Sequence, residues 1–200
     1  MEHPKPIKHH PIPAHAKKVF QGTRWNVFQW EQEMFDGTKQ TYETIHRMNS
    51  VIIFPVIDKE ILILEEEQPH WGKKAFTLVA GGLEKGENIF EGAKRELEEE
   101  TGLVFKDLYL IGISQEAPNV GHYSYTFVAK NVIGEKLQEL DPGERITVKK
   151  VSFSELISLA KQRKFFYKPS FIDEMIIQDR LPEFAEILEN PEKFEIKISD

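Results

Sequence analysis

The segment GGLEKGENIFEGAKRELEEETGL, residues 81–103, constrains this chain more than any other. It sets a glycine-rich turn before a run bounded by helix signals. Asn88 is a candidate N-cap with Glu91 three residues on in capping-box position, and Gly102 is the stop after Thr101. At helical angles Glu96, Glu99 and Glu100 fall on one face as neighbours at three and four positions. Like charges at that spacing destabilise a helix by roughly 0.2–0.5 kcal/mol per pair unless something neutralises them. A divalent cation does so. Hard oxygen donors suit magnesium or manganese, and magnesium shares its shell between carboxylates and substrate phosphates. Phe90, Ala93 and Leu97 form the adjoining apolar stripe, so the helix is expected to pack on a sheet while its carboxylates line a cleft. Arg95 stands where it can anchor one carboxylate by a bidentate pair. On composition alone, KRELEEE is more commonly a solvated charged face.

Spacing decides between these readings. Gly81, Glu87, Arg95, Glu96, Leu97, Glu99, Glu100, Gly102 and Leu103 match, at every fixed position, a glycine, five residues, a glutamate, seven residues and REUxEExGU. The segment thus resembles the Nudix box. That resemblance implies the α+β Nudix fold, an α/β/α sandwich with a mixed β-sheet flanked by helices. It also implies a pyrophosphatase dependent on Mg2+, with Mn2+ as a substitute, that cleaves a nucleoside diphosphate linked to another moiety. By the same resemblance Glu96, Glu99 and Glu100 hold the metal, with the backbone of Gly81. Glu99, Glu100 and Arg95 belong to the catalytic set, and Glu87 supports it. Bound cations would withdraw charge from phosphorus and lower the pKa of a bound water, so no nucleophilic side chain is needed. A general base would raise the rate further. Glu144, in the turn LDPGERITV, resembles the acidic loop that supplies the base in ADP-ribose-type members, with Glu139 and Asp141 as alternatives.

Outside the box, residues 25–48, the run SVIIFPVI and Gln68 resemble the ADP-ribose and ADP-sugar pyrophosphatase branch. ADP-ribose or an ADP-sugar is therefore the expected substrate, yielding NMP and a phosphorylated product. The alternatives are a nucleoside triphosphate, a GDP-sugar, a dinucleoside polyphosphate or coenzyme A, or a non-catalytic nucleotide-binding module. Phe28, Gln68, His70 and Pro118 are the expected substrate contacts, Pro118 lying fifteen residues beyond Leu103. Where the branch often has Gln-Tyr-Arg, this chain has Gln68, Pro69 and His70, which leaves His70, Lys73 and Lys74 as candidates to replace the arginine. Phe28 and Trp30 have the rings to stack on a base, although aromatic residues in a strand are more often core. In that branch early strands exchange between subunits, so a homodimer formed through residues 24–48 is expected.

The remaining chain reads as one domain, 19–200, behind a flexible arm, 1–18, or an arm ordered by a partner. His3, His9, His10 and His15 lie in that arm without an evident rigid scaffold, which favours a solvated tail over a metal site. Alternating polar and apolar residues predict strands at 24–34 and 39–48 around an Asp36-Gly37 turn. Strands are also predicted for SVIIFPVID, EILILEEE, AFTLV, DLYLIGIS, HYSYTFVAK and ERITVKKVSF, with Pro55 arguing against a central, fully paired position. Helices are expected from a Ser152 and Glu155 capping box, over FIDEMIIQD, and from Pro182 with Phe184, Ile187 and Leu188 inward.

With 33 acidic against 26 basic residues and a net charge of -7, the chain offers no broad basic surface for duplex nucleic acid. It contains no cysteine, which excludes disulfides, thiolate nucleophiles and cysteine-type zinc sites. No apolar run approaches membrane-spanning length, and a soluble cytoplasmic protein is expected.

Overall fold

In the computed structural model, residues 3–6, 11–115 and 117–198 are described. Strands β1 (Lys17–Gln21), β2 (Asn26–Glu33) and β3 (Lys39–His46) come first. They are followed by β4 (Ser50–Ile57), β5 (Glu60–Glu67), β6 (Ala75–Thr77), β7 (Val79–Gly82) and helix α1 (Ile89–Thr101). Next run β8 (Leu103–Gln115), the short β9 (Val120–Gly121), β10 (Tyr123–Glu135) and β11 (Arg145–Val151). Helix α2 (Phe153–Lys161), β12 (Phe165–Tyr167), α3 (Phe171–Ile177) and α4 (Leu181–Glu189) complete the order, with a 3-10 turn at Pro191–Lys193.

The period of two in β4 and β5 builds the layers. Val51, Ile53, Leu62 and Leu64 point to one face, where they meet Ile89, Ala93 and Leu97 of α1. Ile52, Phe54, Ile61 and Ile63 point to the other, under Leu156, Ile172 and Phe184 of α2, α3 and α4. A sheet apolar on both faces must be covered on both, which yields the expected α/β/α sandwich. That sheet has the order β12-β6-β5-β4-β10-β8, with β11 on β5 and β7 on β4. It is mixed, since β10 runs parallel to β4 and antiparallel to β8. A smaller sheet, β1-β2-β3-β9, stands apart from it. Its β2–β3 hairpin turns at Asp36 and Gly37, where Gly37 takes φ +81 and Asp36 Oδ1 accepts from Thr38 N–H at 2.9 Å.

The structure departs from the sequence reading in ways that have physical causes. β4 is central despite Pro55. Along one side it pairs with β7 over Ser50–Ile53 and then with β5 from Val56, so Phe54 and Pro55 fall where the partner changes. The missing N–H therefore costs no regular ladder bond on that side. AFTLV divides at the buried Leu78 for a related reason: Thr77 pairs with Leu64 of β5, whereas Val79 pairs with Ile53 of β4. β8 starts at Leu103 because Gly102, at φ +70, turns the chain directly into pairing with Glu135. β1 begins at Lys17, inside the segment read as an arm. Among the described residues no helix is long and apolar enough to cross a membrane.

Candidate active site

The site is assembled where β7 hands over to α1. Asn88 Oδ1 accepts from the Phe90 N–H at 2.8 Å, starting the helix, and the left-handed Gly102 stops it. Burial of Ile89, Ala93 and Leu97 fixes the rotation of α1 on the sheet. Glu96 and Glu100 are drawn inward beside Leu97, at 8% and 5% exposure, while Glu99 stays partly open to solvent. Gly81 makes room for this: a β-carbon there would lie 2.0 Å from Glu96 Cδ. Glu100 Oε2 accepts from the Ala80 N–H at 3.1 Å, tying the end of the helix to β7.

Arg95 binds the group together. Its Nε donates to Glu87 Oε1 at 2.8 Å and its NH2 to Glu87 Oε2 at 3.1 Å, a bidentate fork on the carboxylate before the helix rather than on one of the helix's own. NH1 donates to Glu96 Oε1 at 2.7 Å and Glu99 Oε2 at 2.9 Å, and NH2 reaches the Gly82 carbonyl at 2.9 Å. The hydrogen bonds from Arg95 hold the Glu87 carboxyl below the usual carboxylate range despite partial burial. Burial dominates at Glu96 and pushes its pKa up to about 7; Arg95 opposes that rise, and Glu99 and Glu144 add to it. Burial also raises Glu100 well above the usual range, helped by Glu96, opposed by the Ala80 N–H, and helped again by Glu144 and Glu66. Glu144 is raised by its own burial and by Asp141, Glu66 and Glu99, against a backbone hydrogen bond from Asp141.

Glu144 therefore lies within the electrostatic reach of the α1 carboxylates. Strand register carries it there: β11 pairs with β5 as Arg145↔Glu67 and Ile146↔Glu66. Asp141 and Glu139 are exposed, and the Glu139 N–H is bonded to the Glu99 carbonyl at 3.0 Å. Gln68 reaches the group indirectly, its Nε2 donating to Glu66 Oε1 at 2.6 Å. The other expected contacts lie elsewhere. Phe28 is on the smaller sheet, edge-on to His46 with Lys18 over its ring. Pro118 is exposed in the loop entering β9 of that same sheet. His70 is exposed and accepts from Trp71 Nε1 at 3.1 Å. Of the four arm histidines, His3 is half-buried against the domain, His15 is exposed, and His9 and His10 lie outside the described residues.

Sequence reasoning passed over Glu66. It is 5% exposed and its Oε2 accepts from Thr77 Oγ1 at 3.0 Å. The signal was present in the period of two, which puts Glu66 on the same face of β5 as Leu62 and Leu64. Inside EEE its burial was masked by its neighbours.

The donor set suits a hard divalent cation, since every acidic side chain offers oxygen and the two buried carboxyls gain most from a positive charge. Among the described residues no three acidic or imidazole groups converge on a single point. Arg95 NH1 thus takes one oxygen of Glu96 and one of Glu99, so it sets the positions of both carboxylates.

A family model described as the NUDIX domain matches residues 46–173. The chain is 26% identical over 153 residues to the ADP-ribose pyrophosphatase of Bacillus subtilis (strain 168), covering 75% of this chain and 83% of that one. It is 31% identical over 135 residues to the ADP-ribose pyrophosphatase of Methanocaldococcus jannaschii, covering 65% and 72%. Among solved structures, an ADP compounds hydrolase superposes with a TM-score of 0.68 at 20% identity, over 90% of this chain and 98% of the other.

Proposed function

The chain belongs to the Nudix family of pyrophosphatases, and from that premise we propose that it hydrolyses ADP-ribose or an ADP-sugar to AMP and a sugar phosphate with the help of Mg2+. The observation that carries this reading is the joint burial of Glu96 and Glu100 beside Gly81, with Glu144 brought to them by β11. The names of the relatives above support the substrate class. Mn2+ is the expected substitute ion.

Glu96, Glu99 and Glu100, with the Gly81 backbone, would hold the divalent cation. When bound, that ion neutralises the phosphoryl oxygens and makes water a better nucleophile. The chain's own residues do the rest. Arg95, fixed by Glu87, orients Glu96 and Glu99 and keeps their oxygens from swinging into solvent. Glu144 accepts the proton that the attacking water gives up, and its half-buried, acid-rich setting raises its affinity for that proton. One P–O bond of the diphosphate breaks as the bond from water forms, and the departing phosphate leaves as the second product.

A second reading keeps the chemistry and changes the group beyond the diphosphate. It is favoured by Gln68, Pro69 and His70 standing where an arginine is usual, with His70 exposed and Lys74 paired with Glu65 at 3.6 Å. A homodimer is proposed as well, supported by exposed Val19, Phe20, Trp25 and Tyr42 on or beside the smaller sheet. A cytoplasmic setting accords with a chain that has no cysteine. Profiling ADP-ribose, ADP-glucose, GDP-mannose, dinucleoside polyphosphates and nucleoside triphosphates separates the readings. ADP-ribose is expected to have the highest kcat/KM, and preference for a non-adenylated compound would overturn the substrate assignment.

A further inference from the structure

We propose that His3 is a positioning residue for the carboxylate site, acting through the carbonyl of Glu87. This rests on the reading of α1 as the metal-binding helix. His3 Nε2 lies 2.7 Å from Glu87 O. A carbonyl only accepts, so Nε2 is the donor of that bond. Asn49 Nδ2 stands 3.4 Å from Nδ1. Both ring nitrogens are thus engaged by protein groups, which argues against a role as a metal ligand.

The surroundings hold the ring in place. It lies edge-on to the fully buried Tyr125, with ring centres 5.9 Å apart. The Tyr125 hydroxyl donates to the Pro4 carbonyl at 2.9 Å, and Pro6 is buried. Asn49 is fixed in turn, its Oδ1 accepting from the Tyr123 N–H at 2.9 Å. Its own carbonyl accepts from the Leu83 N–H at 2.8 Å.

Both ends of the loop 83–87 are therefore fastened to one knot, Leu83 through the Asn49 backbone and Glu87 through His3. The Glu87 carboxylate grips Arg95, and Arg95 sets Glu96 and Glu99. In this way a hydrogen bond from His3 reaches Glu96 and Glu99 through Glu87 and Arg95. Releasing His3 frees the Glu87 end of the loop, lets the Glu87–Arg95 fork drift, and loosens Glu96 and Glu99, two of the carboxylates that would hold the cation.

The test compares the full chain with His3→Ala, His3→Phe and His3→Gln. Mn2+ affinity is read by calorimetry, and amide hydrogen exchange is read over residues 83–88. Phenylalanine keeps a ring against Tyr125 but cannot donate, whereas glutamine can present an N–H to the Glu87 carbonyl. His3→Ala and His3→Phe are expected to weaken Mn2+ by about two- to tenfold, the effect of one hydrogen bond, and to speed exchange over 83–88. His3→Gln is expected to restore both. Wild-type exchange and affinity in His3→Phe would overturn the proposal, leaving only ring packing. A wild-type chain that binds no Mn2+ would overturn the metal reading instead, and unchanged exchange in His3→Ala would then overturn the positioning role independently.

Discussion

Gly81 faces the carboxylate of Glu96 so closely that a β-carbon added at Gly81 would lie 2.0 Å from Glu96 Cδ, which leaves no room for one. The group in the way is the end of a flexible side chain. Gly81→Ala is therefore expected to shift the Glu96 carboxylate more than it disturbs the fold. Misplacing a reacting group by about 1 Å costs on the order of a hundredfold in rate. Assay of kcat/KM beside thermal melting should show a large loss of activity with a small change in Tm. Unchanged activity would mean that Glu96 has no role in the site.

Burial of Glu96 and Glu100 makes stability depend on pH in an unusual direction. Both carboxyls have folded pKa values above the ordinary value of 4.5, Glu96 at about 7. The folded state thus holds protons that the unfolded chain gives up, and stability falls as pH rises from about 4.5 through about 7. In EDTA, Tm is expected to drop over that window, and Glu96→Gln, neutral at every pH, should flatten the drop. Mg2+ or Mn2+ should raise Tm most at the alkaline end, where the carboxylates are free to bind it. A Tm that climbs from pH 5 to 8 in EDTA would contradict the raised values.

Glu144 is expected to act on the chemical step. Glu144→Gln keeps its size and removes its ability to take a proton, so kcat at saturating Mg2+ should fall by about a hundredfold with KM little changed. An unchanged kcat would remove the role and pass it to the exposed Asp141 or Glu139.

Light scattering is expected to give the mass of a dimer. Phe20 and Tyr42 are each more than half exposed on the smaller sheet, so the double change Phe20→Asp and Tyr42→Asp should yield a monomer. A wild-type monomer would remove this expectation.

Much of the site was legible in the sequence because its determinants are local. Asn88 and Gly102 marked both ends of α1, and the spacing of Glu96, Glu99 and Glu100 survives any tertiary detail. The hairpin at Asp36 and Gly37 and the Ser152 cap are local in the same sense. What escaped depends on partners far along the chain. Whether AFTLV is one strand or two is set by β5 and β4 competing for it, and Pro55 is tolerated for the same reason. Glu66 matters because Thr77 and Gln68 meet it, and no pattern within EEE distinguishes it by charge. Phe28 was expected for its stacking ring, His70 as a replacement for the missing arginine and Pro118 from the resemblance, and the fold puts them on the smaller sheet or in exposed loops.

Hydrolysis of ADP-ribose by the wild-type chain with Mg2+, with EDTA, and by Glu99→Gln with Mg2+ tests the central claim most directly. Release of AMP and ribose 5-phosphate is expected in the first case, and a loss of at least about a hundredfold in the other two. Equal rates in EDTA, or a fully active Glu99→Gln, would contradict the assignment of the α1 carboxylates as the centre of a divalent-cation pyrophosphatase.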